Sequence, residues 1–96
     1  MANKKEVTKE DIVKRLNRIE GQVKGISRMI GEDQKCTEIL TQVSAVRAAI
    51  NSVGGIILEK YANECVMKSF DQDNPNKEQE LANMMSTIQK FLKFVD

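Results

Sequence analysis

The fold of this chain is decided by residues 12–30, whose sequence is IVKRLNRIEGQVKGISRMI. Apolar side chains recur here at spacings of 4, 3, 4, 3 and 4 residues, at Ile12, Leu16, Ile19, Val23, Ile26 and Ile30. This spacing places one apolar stripe along an α-helix, which therefore packs against other helices. Thr8 followed by Asp11 has the arrangement of a capping box and predicts the start of this first helix. Gly31 predicts its end.

A second helix follows, because the same spacing recurs at Ile39, Val43, Val46, Ile50, Val53 and Ile57. We expect it to run from about Asp33 to about Lys68, with the acidic Glu32 and Asp33 at the N-terminus, where the helix dipole favours negative charge. Gly54 and Gly55 lie inside this helix, where each glycine costs about 1 kcal/mol relative to alanine. Their presence requires a kink or a close approach of another helix, and we favour the close approach.

A third helix is predicted from the turn at residues 71–76 to the end of the chain. Asn74 is the expected N-cap, and Pro75 is the expected first helical residue. The apolar spacing then continues through Leu81, Met85, Ile88, Leu92 and Val95.

Three amphipathic helices with little loop between them predict an all-α protein with a single domain over residues 1–96. The first two helices are expected to form a hairpin that pairs with the hairpin of a second chain into an antiparallel four-helix bundle. A chain of 96 residues buries a modest core by itself, which also favours oligomerisation. The alternative is a coiled-coil scaffold, an interaction module whose cysteines have no function.

Positive charge is concentrated at the start of the chain. Residues 1–30 contain eight Lys or Arg against four Asp or Glu, a net +4, although the whole chain carries only +1. The total favours neither a nucleic acid nor an acidic substrate, so the position of the charge is more informative. No run approaches the roughly 18 apolar residues of a membrane span, and the N-terminus lacks the apolar core of a signal peptide. We expect a cytoplasmic protein with no membrane partner.

The chain has two cysteines, Cys36 and Cys65, and no histidine. The cysteines are 29 residues apart, or roughly 43 Å along a continuous helix, whereas a disulfide or shared ligand requires Cα atoms within about 7 Å. An antiparallel partner helix is the simplest way to bring Cys36 of one chain beside Cys65 of another. In the reducing cytoplasm such cysteines are reactive, bind metal or are simply buried, rather than permanently joined.

The segments RLNRIEGQVKGISRMI (15–30) and TQVSAVRAAINSVGGIILE (41–59), with Cys36 between them, resemble the copper-sensitive operon repressor (CsoR) family of bacterial helical repressors. The resemblance covers nearly the whole chain. It implies a three-helix protomer that dimerises as an antiparallel four-helix bundle and pairs into a homotetramer, a dimer of dimers. It also implies binding to double-stranded operator DNA, which ends when an inducer reacts at the cysteine site.

Copper-sensing members of this family hold Cu(I) with a cysteine near the start of the second helix and, from the partner chain, a His-x-x-x-Cys pair near its end. This chain matches the two cysteines as Cys36 and Cys65 but has Tyr61 at the histidine position. Two thiolates still suit the soft Cu(I) ion, so a repressor with a two-cysteine copper site is the alternative. The formaldehyde-responsive and nickel-responsive branches also rely on histidines and are disfavoured.

The branch that keeps the cysteine pair without the histidine is that of the persulfide-sensing CsoR-like sulfurtransferase repressors (CstR). Resemblance to it implies that Cys36 attacks a low-molecular-weight persulfide and that Cys65 of the partner chain resolves the product into a disulfide or polysulfide bridge. Cys36 is the expected nucleophile, since the helix N-terminus and the adjacent Lys35 stabilise negative charge. Tyr61, one turn before Cys65, is a candidate to line this site, although such a tyrosine commonly packs with its hydroxyl in water.

The resemblance assigns DNA binding to basic residues of the first two helices. Lys14, Arg15 and Arg18 can share one exposed sector of the first helix. Arg47 is the next choice, at a position where its apolar neighbours suggest partial packing. We therefore expect a repressor of genes for sulfide or persulfide detoxification. No histidine base, carboxylate pair or glycine-rich loop indicates an enzyme, and we expect neither a resident metal nor a cofactor.

Overall fold

A computed structural model of the protein describes residues 7–69, 73 and 75–93, with residues 65, 66, 68 and 69 described by their backbone. Three helices account for most of this part of the chain: α1 (Lys9–Gly31), α2 (Cys36–Ser69) and α3 (Lys77–Leu92). Because these ranges contain no strand, the prediction of an all-α protomer with three helices is confirmed. None of the helices in the described ranges is long and apolar enough to cross a membrane.

The predicted capping box starts α1. The backbone N–H of Asp11 donates to the hydroxyl oxygen of Thr8 (3.1 Å), and the N–H of Thr8 donates to a carboxylate oxygen of Asp11 (3.1 Å). These bonds satisfy backbone groups that the first helical turn cannot pair internally. Thr8 itself is extended, as is usual for an N-cap residue.

Residues 32–35 form the turn between α1 and α2. Three backbone N–H groups of the turn donate to carbonyl oxygens at the end of α1: Glu32 to Arg28 (2.9 Å), Asp33 to Ile30 (3.1 Å) and Gln34 to Met29 (3.0 Å). Asp33 is in the left-handed region, with a φ of 54°. The bonds from Asp33 and Gln34, together with this conformation, make a Schellman motif, which is a common way for a helix to end.

This turn corrects the predicted start of α2. α1 ends at Gly31, as the sequence predicts, but the left-handed residue that follows is Asp33 and not this glycine. α2 begins at Cys36 and not at Asp33, so Glu32 and Asp33 belong to the turn, and Glu38 is the acidic residue in the first turn of α2. The physical reason is that an aspartate tolerates the left-handed conformation better than most side chains do. It can therefore take the place of the glycine that the sequence pattern indicates.

The chain divides into two compact units, one ending at Gly54 and the other starting at Gly55. The first unit contains α1 and the first half of α2, which the short turn makes antiparallel neighbours in a hairpin. Its buried apolar side chains come from both helices: Ile12 and Ile19 from α1, and Val46 and Val53 from α2. The prediction of a single domain concerns both units together and stays a prediction.

The predicted apolar stripes are only partly buried in this hairpin. On α1, Ile12 and Ile19 are buried, whereas the alternating members are exposed: Leu16 (45%), Val23 (47%) and Ile30 (60%). On α2, Val46 and Val53 are buried, whereas Val43 (42%) and Ile50 (50%) are exposed. Because the exposed members of each helix recur every seven residues, they follow one side of the hairpin. We name the five exposed side chains, Leu16, Val23, Ile30, Val43 and Ile50, the apolar row.

The second unit consists of the end of α2 and of α3. α3 begins at Lys77, with Asn76 as its N-cap residue and no side-chain hydrogen bond to the cap. The predicted start was therefore wrong: Pro75 lies in the turn before the helix, and Asn74 lies outside the described residues. The fixed φ of proline suits a turn as well as the start of a helix, so the residue type alone did not distinguish them.

The apolar pattern of α3 is also mostly exposed. Ile88 is half-buried, whereas Leu81 (38%), Met85 (52%) and Leu92 (55%) are exposed. α3 ends at Leu92, and Val95 lies outside the described residues.

Gly54 and Gly55 do not interrupt α2, which is helical from Cys36 to Ser69. A Cβ atom added at Gly55 would meet nothing in the described chain within 4 Å. The close approach that the glycines suggested is therefore not made at Gly55 by the described part of the chain.

Candidate functional site

Cys36 is the first residue of α2. The carbonyl oxygen of Lys35, just before it, accepts the N–H groups of Glu38 and Ile39, both at 3.0 Å. The predicted position of Cys36 in the first turn of the second helix is thus confirmed. Its thiol is free and exposed, so a reagent in solution can reach it in this protomer.

The thiol lies on the side of α2 that carries the apolar row. At the helical repeat of about 100° per residue, Cys36, Leu40, Val43 and Arg47 fall within about 60° of one another. Leu40 is 57% exposed and Val43 is 42% exposed. Cys36 is therefore at one end of an exposed apolar surface.

Cys65 lies in the last turns of α2, in the second unit, and its backbone is helical. Tyr61 precedes it by one helical turn and is half-buried. The ammonium group of Lys60 is 5.8 Å from the centre of the Tyr61 ring, a distance that suits a cation–π contact. The two cysteines thus belong to different units, on one continuous helix.

The residues present do not fit a three-ligand copper site of the Cys–His–Cys type. Among the residues whose side chains are described, no group of three His, Cys, Asp or Glu side chains could hold a metal ion. The chain also lacks histidine altogether. The two cysteines remain, and a pair of thiolates suits the soft Cu(I) ion.

Three of the four basic residues assigned to DNA lie together on α1. Lys14, Arg15 and Arg18 are exposed, and they fall within about 100° of one another around the helix. None of them has a hydrogen-bond or ion-pair partner in the described part of the chain. We name these three side chains the cationic group.

The fourth residue, Arg47, is placed differently. The expected partial packing is wrong, because Arg47 is exposed and the burial at this point of α2 is taken by Val46. Arg47 already takes part in an interaction within the chain. By helical periodicity it lies on the side of the apolar row, whereas Lys14 and Arg18 lie on the opposite side of the hairpin. The structure therefore does not bring Arg47 to the cationic group within one protomer.

Gln22, which the sequence did not single out, lies one turn after Arg18 on the same side of α1. The side-chain oxygen Oε1 of Gln22 is buried and has no hydrogen-bond partner among the residues that the structure describes. Residues 15, 18 and 22 are spaced by 3 and 4 residues, so they lie in one row along α1. This spacing is the sequence feature that could have identified Gln22. The absence of a partner becomes visible only in the folded hairpin.

An open groove of about 440 Å³ lies beside the turn that precedes Cys36. Its lining comes from the end of α1 and the first two turns of α2, namely Met29, Thr37, Glu38, Thr41 and Gln42. The hydroxyl of Thr41 donates to the carbonyl oxygen of Thr37 (2.8 Å), so this group is already paired. With Glu38 as its single charged residue, the groove does not gather a set of catalytic or metal-binding groups.

The chain is similar to known proteins over most of its length. The family described as metal-sensitive transcriptional repressor matches residues 8–90 of the chain. The copper-sensing transcriptional repressor RicR of Mycobacterium tuberculosis is 39% identical over 85 residues, which cover 88% of each chain. The copper-sensing transcriptional repressor CsoR of Bacillus subtilis is 40% identical over 85 residues, which cover 88% of this chain and 82% of the relative.

Two solved structures have the same fold. The copper-sensing repressor CsoR with Cu(I) from Geobacillus thermodenitrificans NG80-2 superposes with a TM-score of 0.77 at 40% identity, covering 96% of this chain and 94% of the other. The nickel-responsive transcriptional regulator InrS superposes with a TM-score of 0.73 at 36% identity, covering 94% of this chain and 99% of the other. The three-helix protomer fold and the repressor family that the sequence motifs indicated are confirmed by these matches.

The family description and the names of these relatives are those of transcriptional regulators and not of enzymes. The family matches most of the chain, and the two repressors of M. tuberculosis and B. subtilis exceed one-third identity over 88% of it. This chain therefore belongs to the family of metal-sensitive transcriptional repressors.

Proposed function

We propose that the chain is a repressor that binds double-stranded operator DNA as a homotetramer and releases it when an inducer reacts at Cys36 and at Cys65 of a partner copy. The leading inducer is a low-molecular-weight persulfide, and the regulated genes are those of sulfide or persulfide detoxification. The observation that carries the choice of inducer is the residue content of the site, which has two cysteines on α2 and no histidine.

The apolar row supports assembly through the hairpin. Its five side chains are between 42% and 60% exposed. Covering each of them with a second copy contributes on the order of 1 kcal/mol. A second hairpin placed antiparallel on this row completes a four-helix bundle. Since Cys36 lies at the end of the row, the bundle brings the far end of a partner's α2, with its Cys65, toward this thiol.

The cationic group supports DNA binding. Exposed cations with no carboxylate partner in the described chain can contact phosphates without first breaking an ion pair. A tetramer presents each of these side chains four times, so several phosphate contacts are available and binding should weaken as salt rises. Arg47 contributes to the same DNA-binding surface only if assembly places it beside the cationic group of another protomer.

The sulfur chemistry balances without an external oxidant. The thiolate of Cys36 attacks the sulfane sulfur of a persulfide RSSH. This sulfur is transferred to Cys36, which becomes a persulfide, and the thiol RSH leaves. The thiolate of Cys65 from the partner then attacks the sulfur of Cys36, forms the disulfide and releases hydrogen sulfide. If the Cys36 persulfide first attacks a second RSSH, it gains another sulfur and releases RSH. Attack of Cys65 on the middle sulfur then releases hydrogen sulfide and leaves a bridge that is longer by one sulfur. To release the operator efficiently, the bridge has to weaken binding about 100-fold, which is roughly 3 kcal/mol.

Cu(I) is the second candidate inducer, because two relatives with about 40% identity are named as copper-sensing repressors. The chain would offer two thiolates and no imidazole, so Cu(I) would bind to Cys36 of one copy and Cys65 of another. Tyr61 does not replace the histidine as a ligand in this proposal, and its role is to line the site.

Intact-mass spectrometry of the denatured, non-reduced protein tests the inducer. After treatment with glutathione persulfide, we expect a covalent dimer whose mass is that of two chains with hydrogens lost or sulfur atoms added. The product should revert with a reductant and be absent from the Cys65→Ala variant. Unmodified monomer after persulfide would contradict this proposal, and uptake of one Cu(I) per chain by the same sample would then favour copper.

A helical interaction module with inert thiols is the remaining alternative. It would retain no duplex from a random DNA pool, and Cys36→Ser would leave all of its properties unchanged. Selection of duplex DNA by the wild-type protein, followed by a binding titration, distinguishes it from a repressor.

A further inference from the structure

We propose that Gln22 is a positioning residue for Arg18, whose guanidinium donates to Gln22 Oε1 when the arginine engages DNA. This inference rests on the proposed DNA binding by the cationic group. In this role Gln22 acts through Arg18 and contacts neither the inducer nor the nucleic acid.

The argument begins with the buried oxygen of Gln22. Oε1 is shielded from solvent and has no donor in the described part of the chain, although buried polar atoms nearly always have a partner. The backbone cannot supply the donor, because N–H groups in the interior of a helix are already paired with carbonyls four residues earlier. A side chain or a water molecule has to supply it.

Arg18 is the donor that the helix geometry favours. The side chains that neighbour residue 22 on α1 are those three and four positions away, which are Arg18, Ile19, Gly25 and Ile26. Only Arg18 in this set has a hydrogen-bond donor on its side chain. Arg18 is exposed and has no partner in the described chain, so its guanidinium is free to turn toward Gln22.

The bond would prepare Arg18 for phosphate. A guanidinium has five N–H donors in a planar fork, so one bond to Gln22 leaves the others for a phosphate group. Holding a long side chain in its bound orientation reduces the entropy that it loses when DNA binds. Arg15 provides the contrast. The residues three and four positions after it, Arg18 and Ile19, offer no acceptor, and the carboxylate of Asp11, four positions before it, already accepts the N–H of Thr8.

A double-mutant cycle on DNA affinity tests this coupling. The DNA is a duplex that the wild-type protein selects from a random pool, and the dissociation constant is measured by fluorescence anisotropy at two or more salt concentrations. The variants are Gln22→Met, which keeps the length of the side chain and removes the acceptor, Arg18→Ala, Arg15→Ala and the two double variants. Gln42→Met, the same change at an exposed glutamine of α2, is the matched control.

We expect Gln22→Met to weaken binding at least about fivefold in the wild-type and Arg15→Ala backgrounds, and to have no further effect in the Arg18→Ala background. The slope of log K against log salt should also become shallower by about 0.9 for each phosphate that the protein no longer neutralises. Gln42→Met should change neither quantity. Urea unfolding should show that Gln22→Met is at least as stable as the wild type, because it removes an unpaired buried oxygen.

Three outcomes would overturn the inference. No effect of Gln22→Met on wild-type affinity, or an equal loss in all three backgrounds, would show that Gln22 does not act through Arg18. A loss with Gln42→Met equal to that with Gln22→Met would assign the effect to the hairpin surface in general.

If Gln22→Met does not fold, Gln22→Glu keeps an oxygen acceptor, and its effect must likewise differ between the wild-type and Arg18→Ala backgrounds. If the wild-type protein selects no duplex at all, the proposed function fails instead, and this result is separate from the others.

Discussion

Asp33 adopts a left-handed backbone conformation three residues before Cys36, the first residue of α2. The N–H groups of Asp33 and Gln34 close the end of α1 by donating to its last carbonyls. The conformation of one residue therefore determines where α1 ends and how closely the helix that carries the thiol follows it.

Replacing Asp33 with glycine should stabilise the protein. Glycine adopts a φ of 54° without the steric penalty of a side chain, so we expect Asp33→Gly to raise the free energy of unfolding by about 0.5–1 kcal/mol. Urea denaturation gives this quantity. The control is Glu32→Gly, since the neighbouring Glu32 has a negative φ of −96° and should gain nothing from glycine.

The opposite change at the same position should be unfavourable. Asp33→Val places a β-branched side chain in the left-handed region, and we expect it to lower the free energy of unfolding by at least about 1 kcal/mol. Equal stability of the glycine and valine variants would show that the turn does not have this conformation in solution.

Charge in the apolar row should prevent self-association. Val23→Glu places a carboxylate at the centre of the proposed interface, where an unpaired buried charge costs several kcal/mol, so we expect monomers in light-scattering chromatography. Asn17→Glu is the control, because Asn17 is also exposed but lies about 120° from Val23 around α1. Assembly that survives Val23→Glu and fails with Asn17→Glu would place the interface elsewhere.

Removing the nucleophile should separate sensing from DNA binding. Cys36→Ala leaves the cationic group intact, so the variant should bind the selected duplex as the wild type does and keep it after treatment with glutathione persulfide. Cys65→Ala should still gain a sulfur atom at Cys36 without forming a covalent dimer. Release of DNA from Cys36→Ala by persulfide would assign the first step to another group.

Introducing a histidine at position 61 should change the ligand preference. Even residues that only support a metal ligand alter affinity about 10–100-fold, so a third direct ligand from Tyr61→His should strengthen Cu(I) binding at least about tenfold. Competition with a chromophoric Cu(I) chelator measures this affinity. Asn63→His, two residues further along the same helix and exposed, should have little effect. Equal gains in both variants would mean that position 61 does not face the cysteine pair.

The helices themselves were predictable from the sequence because apolar spacing and capping residues are local signals. The capping box of Thr8 and Asp11 formed as the pattern indicated. The start of α2 was missed because Asp33, without being glycine, adopts the left-handed conformation that ends α1. The start of α3 was missed because Pro75 suits a turn and a helix start equally.

The sequence did not predict which members of each apolar stripe are buried and which are exposed. Periodicity shows that Ile19 and Val23 share a face of α1, but it does not tell which of them the chain itself covers. The same holds for the site, where the sequence identified Arg18 as a cation but could not show the unpaired oxygen of Gln22 beside it. Burial and pairing depend on how the helices pack against one another, which the spacing of residues along one helix does not specify.

The partly exposed stripes have a consequence for how the protein responds to dilution. On the proposed assembly, the apolar row leaves water only when two copies meet, so folding and association draw on the same side chains. The melting temperature should then rise with protein concentration. A cell that contains few copies would hold a repressor that is both less assembled and easier to unfold, and its abundance would set part of its stability.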